Sequence, residues 1–119
     1  EMPMRQLLAF AMLACPVKHR REKKALGEHY DLVVACLTEG SKGQRFRALH
    51  FAKNFHASHL PEIGRRLMGV SAALVSEMYE ELLEFDPESP LRAVVEKLLL
   101  APTSLYARLE SPVDEDKAA

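Results

Sequence analysis

The chain has 119 residues, 48% hydrophobic and 28% charged, a composition that excludes wholesale disorder and suits one domain with a single core. Five glycines and no tryptophan argue against a turn-rich β-sandwich. The formal net charge of −1 is not that of a dedicated nucleic-acid binder, yet it hides an asymmetry: residues 1–66 carry 12 Lys/Arg against 6 Asp/Glu, and residues 67–119 carry 4 against 11.

Residues 4–15 are apolar nearly all round, with nine consecutive apolar residues from Leu7 to Cys15. A bilayer span needs about 20, so no membrane partner is expected. A secretory h-region is the alternative, with Arg5 as a thin n-region, but Met12-Leu13-Ala14 is a poor cleavage sequence. The stretch reads as a buried first helix ended by Pro16. Lys18 to Lys24 then place five basic residues in seven. They run into a second helix through Leu26, Tyr30, Val33 and Leu37, and Gly27 predicts a break or kink inside it. Gly40 is the expected C-cap after it.

A third helix is expected from Gln44 to His56, with Phe46, Leu49, Ala52 and Lys53 sharing one face, Ala48 and Phe55 beside them, and Arg45, Arg47 and His50 pointing away. Ser58 fits an N-cap, and Pro61 suits the first turn of a short helix carrying Ile63 and Leu67. Residues 71–86 are the clearest amphipathic stretch. Leu74, Val75, Met78, Leu82 and Phe85 share one stripe, Glu77, Glu80, Glu81 and Glu84 the opposite side, Ser71 caps the start and Pro87 stops the end. Ser89-Pro90 opens a helix over Leu91 to Leu100, and Thr103 caps a last short one carrying Leu105, Tyr106 and Leu109. Residues 111–119 read as an acidic flexible tail after a single domain over 1–110. The fold class is therefore all-α, a compact bundle of five or six helices.

The segments Phe46-Arg-Ala-Leu and Leu91-Arg-Ala-Val recur at a separation of 45 residues, each on a helix that follows an amphipathic partner. On these quartets, residues 17–100 resemble two stacked helical hairpins of the HEAT/armadillo type. The resemblance implies a scaffold that binds peptides, helices or other subunits rather than an enzyme.

Candidate chemistry is sparse. His29, His50, His56 and His59 lack the i, i+3 or i, i+4 spacing on one helix that a metal pair needs, since His56 and His59 straddle the Ser58 cap. The Glu77–Glu84 carboxylates read as a solvated helix face rather than an acid/base pair. Cys15 and Cys36 have no adjacent base and read as core residues in a reducing compartment, with a disulfide between them as the alternative. No catalytic residue, cofactor or metal is expected.

The strongest functional feature is the set of basic residues: Lys18, Arg20, Arg21, Lys23 and Lys24, extended by Arg45, Arg47 and Lys53, with Lys42, Arg65 and Arg66 joining if their helices lie alongside. The expectation is a non-catalytic protein–protein interaction domain, intracellular (cytoplasmic or nuclear), whose partner is acidic or helical. The alternative is a nucleic-acid-binding module using the basic 18–66 region, because Lys/Arg contacts to phosphates give sequence-independent affinity.

Overall fold

A computed structural model of the protein describes residues 2–100, and for Arg20, Glu22 and Lys23 it describes the backbone only. The expected helix at 103–109, the tail at 111–119 and the domain boundary at 110 lie outside the described residues. Every regular element among the described residues is helical. Seven α-helical segments run in order: α1 (Met4–Leu13), α2 (Arg20–Ala25), α3 (Gly27–Thr38), α4 (Lys42–Ala52), α5 (Leu60–Leu67), α6 (Ala72–Phe85) and α7 (Leu91–Leu100), with a 3-10 turn at Ala57–His59. They make six helices when α2 and α3 count as one rod broken at Leu26, where Gly27 predicts the break.

The local chemistry explains most of these boundaries. Ser71 Oγ accepts from the Leu74 N–H at 3.2 Å and starts α6. Ser89 Oγ accepts from the Leu91 N–H at 3.2 Å and starts α7. Helix α4 starts two residues earlier than expected, because Ser41 and Gln44 form a capping box in which each side chain accepts from the other's backbone N–H. Gly40 is not a left-handed C-cap: no described glycine has positive φ, and α3 ends on Glu39 in the right-handed region. Ser58 is not an N-cap either. His56 Nδ1 accepts from the Ser58 N–H to start the 3-10 turn, which frees Ser58 Oγ to accept from the Val17 N–H at 3.1 Å.

The centre of the bundle is α3, which packs against α1, α2, α4, α5 and α6. Its Tyr30, Val33 and Leu37 are fully enclosed. Helix α7 closes the far side on α5 and α6, where Gly64 allows close approach: a Cβ there would lie 3.1 Å from Val94 Cγ1. Helix α6 is rolled relative to its expected stripe. Ala72, Val75, Met78 and Leu82 face the core, Leu74 sits at the margin, and Phe85 is 40% exposed.

Helix α1 is fastened at its C-terminal end. Phe10 meets the rings of Phe51 and Phe55 at centroid distances of 5.9 and 5.6 Å. Two backbone carbonyls at and just past the end of the helix, which no helix partner can satisfy, are met by the 56–59 segment. The Leu13 carbonyl accepts from the His56 N–H at 2.9 Å, and the Cys15 carbonyl accepts from His59 Nε2 at 2.6 Å. That second bond fixes the tautomer: Nε2 carries the proton, so Nδ1 is the acceptor for the Tyr30 hydroxyl at 2.7 Å. Tyr30 and His59 are both buried, and burial, reinforced by Glu62, pushes the Tyr30 phenol above its ordinary range.

Candidate partner-docking surface

The basic residues divide by what their side chains do. Arg45, expected to point outward, turns in toward α6. Its Nε and Nη2 donate to the two carboxylate oxygens of Glu81 at 2.9 and 2.6 Å, Nη2 also reaches Glu77 at 2.7 Å, and Nη1 donates to the Gly40 carbonyl. The Arg45 and Glu81 side chains are only 11% and 8% exposed, so this is an internal clamp and not a docking cation. The hydrogen bond donated to Glu81 holds the guanidinium more firmly protonated than usual. Glu81, expected on a solvated face, is buried by the same contact.

Arg65 and Arg66 are likewise engaged within the fold. Arg65 pairs with Glu62 at 2.6 Å, while Arg66 pairs with Glu62 at 3.1 Å and with Asp31, and lies over the Tyr30 ring at 5.5 Å. Arg45 and Arg66 therefore do not extend the basic surface, and Arg65, 72% exposed, carries the opposite charge of its partner Glu62 with it.

Lys42 and Arg47 remain exposed on α4 and Lys53 just past its end, and Arg21 and Lys24 on α2, with Lys18 exposed just before it. Arg20 and Lys23 belong to α2, and their side chains lie outside the described residues. Helix α4 contains no acidic residue. Among the described residues, neither Arg47 nor Lys53 has a carboxylate partner. Phe46, expected inward, is 46% exposed. It packs edge-on against Phe85 of α6 at 4.5 Å, and the Lys42 ammonium lies 5.9 Å from the Phe85 ring centre. Sequence spacing missed this aromatic pair, because it depends on how α4 and α6 are rolled against each other.

A groove of about 580 Å³ opens beside this face, between α1, α3 and the start of α4, lined by Met2, Gln6, Leu32, Cys36, Gln44 and Arg47. Cys36 is half-buried there, and burial pushes its thiol up, the opposite of what a nucleophile needs. Cys15, expected in the core, is exposed, because α1 turns its Ala9, Phe10 and Leu13 inward and leaves Cys15 on the far side. Both cysteines are free thiols. The described residues gather no group of three His, Cys, Asp or Glu that could hold a metal ion. His56 and His59 make the hydrogen bonds given above, and His50 is exposed beside Phe51. No described helix is long and apolar enough to cross a membrane. Comparison with protein families, with characterised proteins and with solved structures gave no match in any of the three.

Proposed function

We propose that this domain is a non-catalytic helical interaction module that captures an acidic protein, as part of a larger scaffold or complex. The observation that carries the reading is the exposed aromatic edge of Phe46 against Phe85, with the Lys42 ammonium 5.9 Å from the Phe85 ring centre and Arg47 and Lys53 exposed in the same segment. Aromatic anchors buried on binding carry much of an interface's energy, and complementary charge around them sets on-rate and specificity. The basic segment 18–24 adds a second cationic patch. The HEAT-like reading fits the same role. Helices α3 and α4 pack together across a three-residue connection, and α6 and α7 across a five-residue one, as two helical hairpins would.

The test is a triple charge reversal, Lys42→Glu, Arg47→Glu and Lys53→Glu, with Phe46→Ala alongside. Both variants should lose the proteins that the parent chain retains in affinity capture read by mass spectrometry. Thermal unfolding should shift little, because the four side chains are exposed. Unchanged capture by both variants rejects this surface.

The nucleic-acid reading rests on the same cations. The exposed Glu80 and Glu84 of the neighbouring α6 would repel a phosphate backbone and an acidic protein alike, so they do not decide between the two. Titration with duplex and single-stranded DNA and RNA at two salt concentrations separates the two readings, since phosphate binding weakens steeply with salt.

A further inference from the structure

Helix α1 presents a face that nothing in the described structure covers. Ala9, Phe10 and Leu13 enter the core. On the opposite side Met4, Leu8 and Met12 are 78%, 52% and 41% exposed, Ala11 is exposed between them, and exposed Cys15 continues the line. At 100° per residue Met4, Leu8, Ala11 and Met12 fall within about a third of the helix circumference, along a stripe of about 12 Å. Arg5 stands at its margin. Three residues past the stripe the chain enters Lys18–Lys24, with five cations and one carboxylate, and no acidic residue occurs anywhere from Met2 to Arg21.

We infer that α1 and the 18–24 segment together form a docking site for an anionic membrane surface. The apolar stripe lies in the headgroup–acyl boundary, and the positive charge of the 18–24 segment, with Arg21 and Lys24 exposed on α2, attracts the anionic headgroups. Nine apolar residues are too few to span a bilayer, but lying in its surface needs only an apolar stripe beside a basic cluster. Binding of this kind sums buried apolar area and attraction to anionic lipid, and here the two sources are consecutive in the chain. Charge and area favour a bilayer over a second copy of the chain. Parallel pairing of two stripes would bring two cationic clusters together. Three large side chains also fall short of the roughly 800 Å² per partner that a standard protein interface buries. A bilayer sets no such minimum, because each immersed side chain and each cation contributes separately.

This inference goes beyond the protein-docking reading and shares with it only the 18–24 segment. The test uses the whole chain with sedimenting vesicles, either pure phosphatidylcholine or two parts phosphatidylcholine to one of phosphatidylserine. The chain should sediment with the anionic vesicles, less so as salt rises, and stay in solution with the neutral ones. Leu8→Glu/Met12→Glu should lower the partition on the order of tenfold or more. Leu8→Ser/Met12→Ser, which leaves the charge alone, should lower it by a smaller factor, and both pairs should keep the parent's unfolding midpoint. The α4 charge reversals should leave vesicle binding unchanged, so failure of either proposal is seen separately. Absence of sedimentation with anionic vesicles at low salt overturns the inference, as does parental partition of both α1 pairs. A concentration-dependent dimer that Leu8→Glu abolishes, with no vesicle binding, would assign the stripe to a second copy and also overturn it.

Discussion

Two joints hold the outer helices to the body, and they solve the burial of polar groups in different ways. At the end of α1, Tyr30, His59 and the Cys15 carbonyl form a neutral relay around a fully enclosed imidazole. Between α4 and α6, the Arg45 guanidinium meets two carboxylates at the edge of the core, and Glu77 remains 55% exposed. Enclosing an ion costs far more than enclosing a hydrogen-bonded neutral group. The relay can therefore sit in the interior, while the ionic clamp keeps one partner in water. A neutral relay fails by losing one bond, but an ionic clamp fails by stranding a charge.

The largest expected effect breaks the ionic joint. Arg45→Ala leaves Glu81 buried without its counter-charge and should cost about 3 kcal/mol in denaturant unfolding. Arg45→Met combined with Glu81→Leu should recover most of that loss, and Glu77→Ala, at the wet end, should cost less than about 1 kcal/mol. A double variant no better than Arg45→Ala would show that the clamp's geometry, rather than the stranded charge, is what matters.

The neutral joint should yield less. Tyr30→Phe keeps the ring and removes only the hydroxyl, so the His59 acceptor goes unmet at a cost of about 1–2 kcal/mol. A cost equal to that of Arg45→Ala would erase the contrast between the joints.

The smallest effect belongs to the joint of α6 with α7, which is exposed. The Tyr79 hydroxyl donates to Glu96 at 2.7 Å and Arg92 Nε at 2.9 Å, and these bonds, Tyr79 first, hold the Glu96 carboxyl below its usual range. A carboxylate depressed by folding adds stability above its unfolded pKa of about 4.3, and loses it as pH falls through the lower folded value. Glu96→Gln should therefore melt slightly below the parent at neutral pH, and the two melting curves should converge under acid. A gap that widened on acidification would contradict the assignment.

The elements themselves were legible in the sequence because they rest on local rules. Ser71, Gly27 and the Ser89-Pro90 pair mark boundaries through atoms within four residues. The register between helices was not legible. Arg45 and Glu81 are 36 residues apart, and each lies on the flank of its apolar stripe, where a slight roll decides between water and core. The same roll exposes Phe46 and Phe85, so the docking face contains an aromatic pair and fewer cations than the sequence suggested. Cys15 was misjudged because α1 is apolar on both sides, and hydrophobicity alone cannot say which side the core takes.

The bond from His59 to the Cys15 carbonyl ties positions 44 residues apart. The opening helix therefore works as a plug rather than a handle. Trimming the chain ahead of Pro16 would take away the partners of Phe10's neighbours along with the carbonyls that the 56–59 segment depends on. Such a shortened chain should lose its tertiary order as a whole instead of shedding one appendage.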